Sequence, residues 1–273
     1  MKTEVLHFVK LDRAMLPLLV TSLFTFQLLT AQEHAAFRGF LWRQSTESVI
    51  LLQADSAATQ DLIGNDFAID INNGKSVIAI IVQESPVNYF NAKEIGSSKE
   101  IHVWVAIQGQ RDGEMTPVVG AQHTLETMSW FNVLGATTSS NIIEAFGKAG
   151  LSYDRMESLD LNIQENLVNG RIVLNQNTTL AWKSGVKPWS VNLLGVNHDI
   201  YNRLPNGDIF CNQVQALVGI KSWRAPGQLE ISGDLGLNNI LADGKIPALV
   251  NAYDPIWIRV NLNVDLAEVV KRK

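Results

Sequence analysis

Glu100-Ile101-His102-Val103-Trp104-Val105-Ala106-Ile107-Gln108 alternates between aliphatic residues and larger or polar ones. Successive side chains of an extended chain point to opposite faces. Ile101, Val103, Val105 and Ile107 therefore share one face, and Glu100, His102, Trp104 and Gln108 share the other. The stretch reads as a strand buried on its aliphatic side, whose mixed side suits either a cavity wall or a wet outer surface. Upstream, Ser48-Val49-Ile50-Leu51-Leu52-Gln53 also reads as a strand. Ser76 to Val82 is a continuous apolar run, as expected of a strand buried on both faces, and it delivers Glu84 at its end. Between them, Asp55 to Leu62 reads as a short helix capped by Asp55 or Ser56. Asn72-Asn73-Gly74-Lys75 is a strong hairpin signal.

Downstream, strands are expected at Met156 to Ile163, Arg171 to Asn175, Thr178 to Trp182, Val191 to Val196, Ile209 to Val218 and Gln228 to Ser232. Pro205-Asn206-Gly207-Asp208 supplies a turn among them. Short helices are expected at 55–62, 139–147 and 236–242, and Asp265 to Lys273 reads as a polar helical tail. Many short strands separated by turn residues predict a mainly β (α+β) fold. The architecture expected is an antiparallel β-barrel with a flanking sheet and a few short helices. Strands and helices do not alternate, which disfavours a doubly wound sheet.

The chain has 273 residues, 46% of them hydrophobic and 18% charged, with a net charge of −5. That composition belongs to a globular protein, and without a basic footprint nucleic acid is not an expected partner. Cys211 is the only cysteine, so no intrachain disulfide and no cysteine metal site is available. The histidines, His7, His34, His102, His123 and His198, show no metal-ligand spacing. Neither a phosphate-binding glycine loop nor a G-x-S-x-G elbow occurs. The apolar run at 14–29 follows a charged start and resembles a secretory signal, but it is short of a spanning helix and carries Pro17, Thr21, Ser22, Thr25 and Gln27. It is read as a buried or interface-forming helix in a segment 1–36, ahead of a single domain 37–273. A cytoplasmic homo-oligomer without stable membrane insertion is expected.

Ser139-Ser140-Asn141-Ile142-Ile143-Glu144-Ala145-Phe146-Gly147-Lys148-Ala149-Gly150-Leu151 reads as a helix with a capping pair at Asn141 and Glu144. Lys148 lies among apolar residues. If buried, its ammonium loses water, its pKa falls, and the amine becomes a nucleophile able to form a Schiff base with a ketone. If exposed, it is a solvated lysine suited to a helix C-terminus.

Several stretches, in order, resemble the acetoacetate decarboxylase family. The most telling is Val214-Gln215-Ala216-Leu217-Val218-Gly219-Ile220-Lys221-Ser222-Trp223-Arg224-Ala225-Pro226-Gly227-Gln228-Leu229, followed by Asn239-Ile240-Leu241 and Ile258-Arg259-Val260-Asn261-Leu262. Ala54 to Ile63 resembles the segment after the family's first core strand. Glu84 and Glu100 resemble its two acidic positions, and Phe37-Arg38-Gly39 and Arg43 lie where a substrate-facing arginine is placed. Phe146-Gly147-Lys148-Ala149 stands where the family has an aromatic residue, proline and two lysines. The resemblance implies a barrel enzyme acting on a keto acid or related carbonyl compound, decarboxylation by default. Lys148 would form the imine, Glu84 and Glu100 would manage protons, Arg43 or Arg38 would hold a carboxylate, and Trp223 would line the pocket. No cofactor is required. The single lysine and the glycine in place of proline keep two alternatives open: an enzyme of the same fold in specialised metabolism working without an imine, as a cyclase, isomerase or dehydratase, and a non-catalytic ligand-binding barrel. His102, on the Glu100 face, is a proton-transfer candidate as well as an ordinary strand histidine.

Overall fold

The apolar runs of the sequence become longer strands than their local pattern indicates. The computed structural model describes residues 39–108, 125–164, 167–185, 191–193, 195–216, 220–233, 235–237, 241, 250–253, 255 and 257–271. The apolar run at 14–29 and Arg38 lie outside the described residues. Strand β1 is Phe40–Asp55, helix α1 Ser56–Ile63, β2 Ile71–Asn72, β3 Lys75–Phe90, β4 Lys93–Ile107, β5 Leu125–Thr137 and helix α2 Ser140–Ala149. There follow β6 Asp154–Arg155, β7 Ser158–Gln164, β8 Leu167–Asn175, β9 Thr178–Gly185, β10 Val191–Leu193, β11 Gly195–Arg203 and β12 Ile209–Ala216. The last strands are β13 Ile220–Ala225, β14 Gly227–Ser232, β15 Val250–Tyr253 and β16 Trp257–Lys271. Among the described residues no helix is long and apolar enough to cross a membrane.

Local signals mostly behave as expected. Asp55 caps α1, its side chain accepting from the Ala58 N–H at 2.9 Å. The turn between β2 and β3 places Asn73 and Gly74 at positive φ, 54° and 79°, as a tight hairpin with right-handed twist requires. Helix α2 is capped by Ser139 rather than Asn141, and Glu144 turns away from the cap toward Lys148. Gly147 lies within α2, and Gly150 ends it in the left-handed conformation, φ 87°.

The C-terminal stretch corrects the expectation of a helical tail. Leu266, Ala267 and Glu268 pair with Trp42, Leu41 and Phe40 on one side and with Ala216, Gln215 and Val214 on the other. Two strand edges offer hydrogen bonds to the same residues, and Val264, Val269 and Val270 are β-branched, so the extended form prevails.

Strand pairing in the larger sheet runs β1-β3-β4-β5-β11-β12-β16, and β16 also pairs with β1. The pairs are antiparallel except β5 with β11 and β5 with β6. A second, antiparallel sheet has the order β15-β14-β9-β8-β7. The larger sheet is buried on both faces. Odd-numbered residues of β4, Ile101 to Ile107, join Ile50, Ile78, Ile80 and Val82 and pack against Ile172, Leu180, Trp182 and Ile231 of the second sheet. The opposite face, with Phe40, Trp42, Ile81, Ala106 and Trp130, packs against Ile142, Ala145 and Phe146 of α2. Glu100, His102 and Trp104 stand on this helix-covered face, so the mixed side of β4 is interior.

Trp182 ties the two sheets together. Its indole N–H donates to Ser48 Oγ at 3.0 Å, and its ring lies over Gly170, where an added Cβ would sit 2.1 Å from the ring. Gly170→Ala therefore overpacks the sheet junction. A loss of about 1–3 kcal/mol is expected, read as a lower urea midpoint with an unchanged slope.

Candidate active site

Glu100 is fully buried, at 0% exposure, in the middle of the helix-covered face. A buried carboxylate needs donors. Trp42 Nε1–H supplies one at 2.9 Å to Oε1, and the Ser98 hydroxyl donates to the same oxygen. Ser98 in turn accepts from Asn88 Nδ2 at 2.9 Å. The second oxygen, Oε2, has no hydrogen-bond partner among the described residues. It lies 3.5 Å from His102 Nε2, close enough for charge attraction and too long for an aligned hydrogen bond.

His102 follows Glu100 by two residues, so the strand period puts both on one face. Its other nitrogen, Nδ1, is 2.8 Å from the Tyr153 hydroxyl. The tautomer in which Nδ1 accepts from Tyr153 turns Nε2–H toward Glu100. Tyr153 is reached through the segment after α2, and Gly135, opposite His102 in β5, makes room for it. A Cβ on Gly135 would lie 2.7 Å from Tyr153 Cζ. Phe146 of α2 stacks on the Tyr153 ring at 4.0 Å between centroids and 1° between planes, and on Phe40 at 4.1 Å and 17°. The aromatic column fixes the phenol. Glu100 and His102 are buried and Tyr153 is half-buried. Carboxylate, imidazole and phenol are all groups able to exchange protons, and here they stand in one line. Among the described residues no group of three or more His, Cys, Asp or Glu side chains is placed to hold a metal ion.

The other expected site residues are dispersed. Lys148 is exposed, its side chain 64% accessible, and its Nζ pairs with Glu144 Oε1 at 2.6 Å. Its ammonium holds the Glu144 carboxyl below the usual carboxylate range, first through their hydrogen bond and then through charge. The desolvation that imine chemistry requires of an amine is not present at this position. Glu84 alternates with Gln83 and Ser85 and lies on the opposite face from Glu100; its partner across the strands is Lys99, at 3.1 Å. Lys99 also donates to Leu159 O at 2.7 Å, so this pair joins the two sheets at their edge. Gln83, not Glu84, is the residue opposite Glu100. It donates to Ser85 Oγ at 2.8 Å and to Ser45 Oγ at 3.2 Å. Arg43, next to Trp42 in β1, is half-buried and by alternation points away from Glu100. Trp223 sits in β13 opposite Val260 of β16. Tyr153 and Ser98 escaped sequence reading. The usable signal was the Glu100/His102 spacing, which marks a polar pair on one face but says nothing of a phenol arriving from another element.

No protein-family model matches the sequence, and no curated protein matches it. Solved structures do resemble the chain. A structure from structural studies of acetoacetate decarboxylase matches with a TM-score of 0.51 at 13% identity, covering 87% of this chain and 91% of its own. The acetoacetate decarboxylase of Legionella pneumophila matches with a TM-score of 0.49 at 12% identity, over 85% and 88%. The enduracididine biosynthesis enzyme MppR, with HEPES buffer bound, matches at 0.50 and 6% identity, over 86% and 89%. At such identities the likeness is one of backbone. With its helix-covered larger sheet and flanking second sheet, the chain has the acetoacetate decarboxylase-like fold.

Proposed function

We propose that this protein is an enzyme that moves protons on a small carbonyl compound through Glu100, His102 and Tyr153, without a lysine imine. The return of strand pairing from β16 to β1 supports a barrel around α2, with this line of residues in its interior. One observation carries the reading: a fully buried carboxylate lies 3.5 Å from an imidazole whose other nitrogen is 2.8 Å from the hydroxyl of a half-buried tyrosine. Tyr153 takes a proton from the carbon beside the carbonyl as its own proton passes to His102 Nδ1. The C–H electron pair becomes the enolate, and Glu100 stabilises the imidazolium from its Nε2 side. Return of the proton to a different atom gives an isomerase; loss of a β-substituent gives a dehydratase. Decarboxylation through Lys148, the default that the resemblance implies, lacks support from the exposed, ion-paired position of that amine.

Hydrogen–deuterium exchange at the carbon beside the carbonyl, followed by NMR across a panel of small ketones, keto acids and keto amides, tests this reading. The protein is expected to accelerate exchange, and Tyr153→Phe and His102→Gln are each expected to slow it about 100-fold or more. Unchanged exchange in Tyr153→Phe overturns the relay. Lys148→Ala is expected to leave exchange within about two-fold, and borohydride is expected to trap no adduct on Lys148. An adduct there restores the imine.

The Glu144–Lys148 pair has its own pH signature. A depressed folded-state pKa stabilises the fold above the ordinary carboxylate value of 4.5, and that contribution is lost as the pH falls through the folded-state value. Lys148→Ala is expected to return the Glu144 titration midpoint, followed by carboxyl NMR, toward 4.5.

A further inference from the structure

Glu100 receives one of its two donors by way of a strand bulge. Ser98 precedes it by two residues and shares its face of β4. Ser85 of β3 lies opposite Ser98, and beyond a register shift Asn88 lies opposite Gly96. By strict alternation Asn88, three residues from Ser85, would face the other way. A bulge re-aims side chains, and this one brings the Asn88 carboxamide to Ser98.

That carboxamide decides where the Ser98 hydroxyl points. Asn88 Nδ2 donates to Gly96 O at 2.9 Å and to Ser98 Oγ at 2.9 Å. A carbonyl oxygen only accepts, so the group facing Gly96 O is the NH2, and turning the amide over would set two oxygens against each other. Ser98 Oγ accepts from Asn88 and still has its own hydrogen to give. The hydrogen goes to Glu100 Oε1. Trp42 Nε1–H, which only donates, takes the second acceptor site of the same oxygen. Oε1 is thus filled by donors, and a proton on Glu100 has only Oε2 to occupy. Oε2 is the oxygen 3.5 Å from His102 Nε2. Trp42, Asn88, Ser98 and Glu100 are all buried, so bulk water does not replace a donor lost here.

We infer that Ser98 is a positioning residue for the proton transfer proposed above. By donating to Oε1 it keeps the negative charge on Glu100, which holds the His102 hydrogen on Nε2 and leaves Nδ1 to accept from Tyr153. The inference rests on that reading for its catalytic meaning, while its first measurement is independent of it. A buried carboxylate deprived of a donor holds its charge less well. Without Ser98 it takes a proton from water on Oε2, and this O–H turns to His102 Nε2. The imidazole then carries its one hydrogen on Nδ1, toward Tyr153. The hydrogen bonds of the line are reversed, and Tyr153 no longer has an acceptor for its proton.

Nitrogen-15 NMR of the imidazoles, on the alkaline side of neutrality, reads the tautomer, with His102→Gln assigning the signal. The unmodified protein is expected to show Nε2–H. Ser98→Ala is expected to show Nδ1–H and to slow the exchange reaction about ten-fold or more, the scale of a lost hydrogen bond to a charged group. Ser98→Thr keeps the hydroxyl and is expected to restore both. Trp42→Phe removes the other donor to Oε1 and is expected to give the same tautomer change, so it carries the test should Ser98→Ala not fold. Four outcomes each overturn the inference: Nδ1–H or an imidazolium in the unmodified protein, Nε2–H retained in the folded donor variant, a changed tautomer without loss of exchange, or no rescue by Ser98→Thr. The expected tautomers in a protein that accelerates no exchange would support the hold of Ser98 on Glu100 and overturn the proposed reaction.

Discussion

A carboxylate without any exposed surface constrains everything around it. Glu100 is kept by two neutral donors on one oxygen and a histidine approaching the other. Each partner comes from a different distance along the chain: Trp42 from β1, Ser98 and His102 from β4 itself, and Tyr153, behind His102, from beyond α2. The aromatic column Phe40, Phe146 and Tyr153 holds these donors in register, because close-stacked rings leave no room for the phenol to swing. Helix α2 thus acts less as a carrier of Lys148 than as the plug that brings Phe146 onto the column, its charged side turned to water.

The same arrangement separates residues that look equivalent in the sequence. Glu84 and Glu100 differ by an even number of positions yet lie on opposite faces, because they occupy different strands and the register sets Gln83 against Glu100. Glu84 and Lys99 then form a half-exposed pair at the sheet edge, where such pairs contribute little to stability. Glu100 instead has no exposed surface, and its neighbour on the same face is His102.

The change of partners along β5 leaves the core undisturbed. Val133 bulges out of β5 where its parallel partner ends, while Val103 and Val105 across it stay fully buried.

The sequence by itself determined the class of fold and much of its local detail. Strict alternation in residues 100–108, the apolar run 76–82, the Asn73-Gly74 turn and the Asp55 cap all act through periodicity and backbone conformation, which are local properties. Glu100 and His102 also stand out in the sequence as a polar pair on one strand face. Only the tertiary structure decided the rest. Whether the mixed face of β4 was wet depended on α2 covering it, and the strand state of residues 265–271 depended on two edges supplied by β1 and β12. Whether Lys148 was a buried nucleophile depended on which side of α2 met the sheet, and Ile142, Ala145 and Phe146 took that side. Tyr153 could not be placed from its neighbours in sequence, since its partner His102 lies 51 residues away and the space it fills exists only because Gly135 has no side chain.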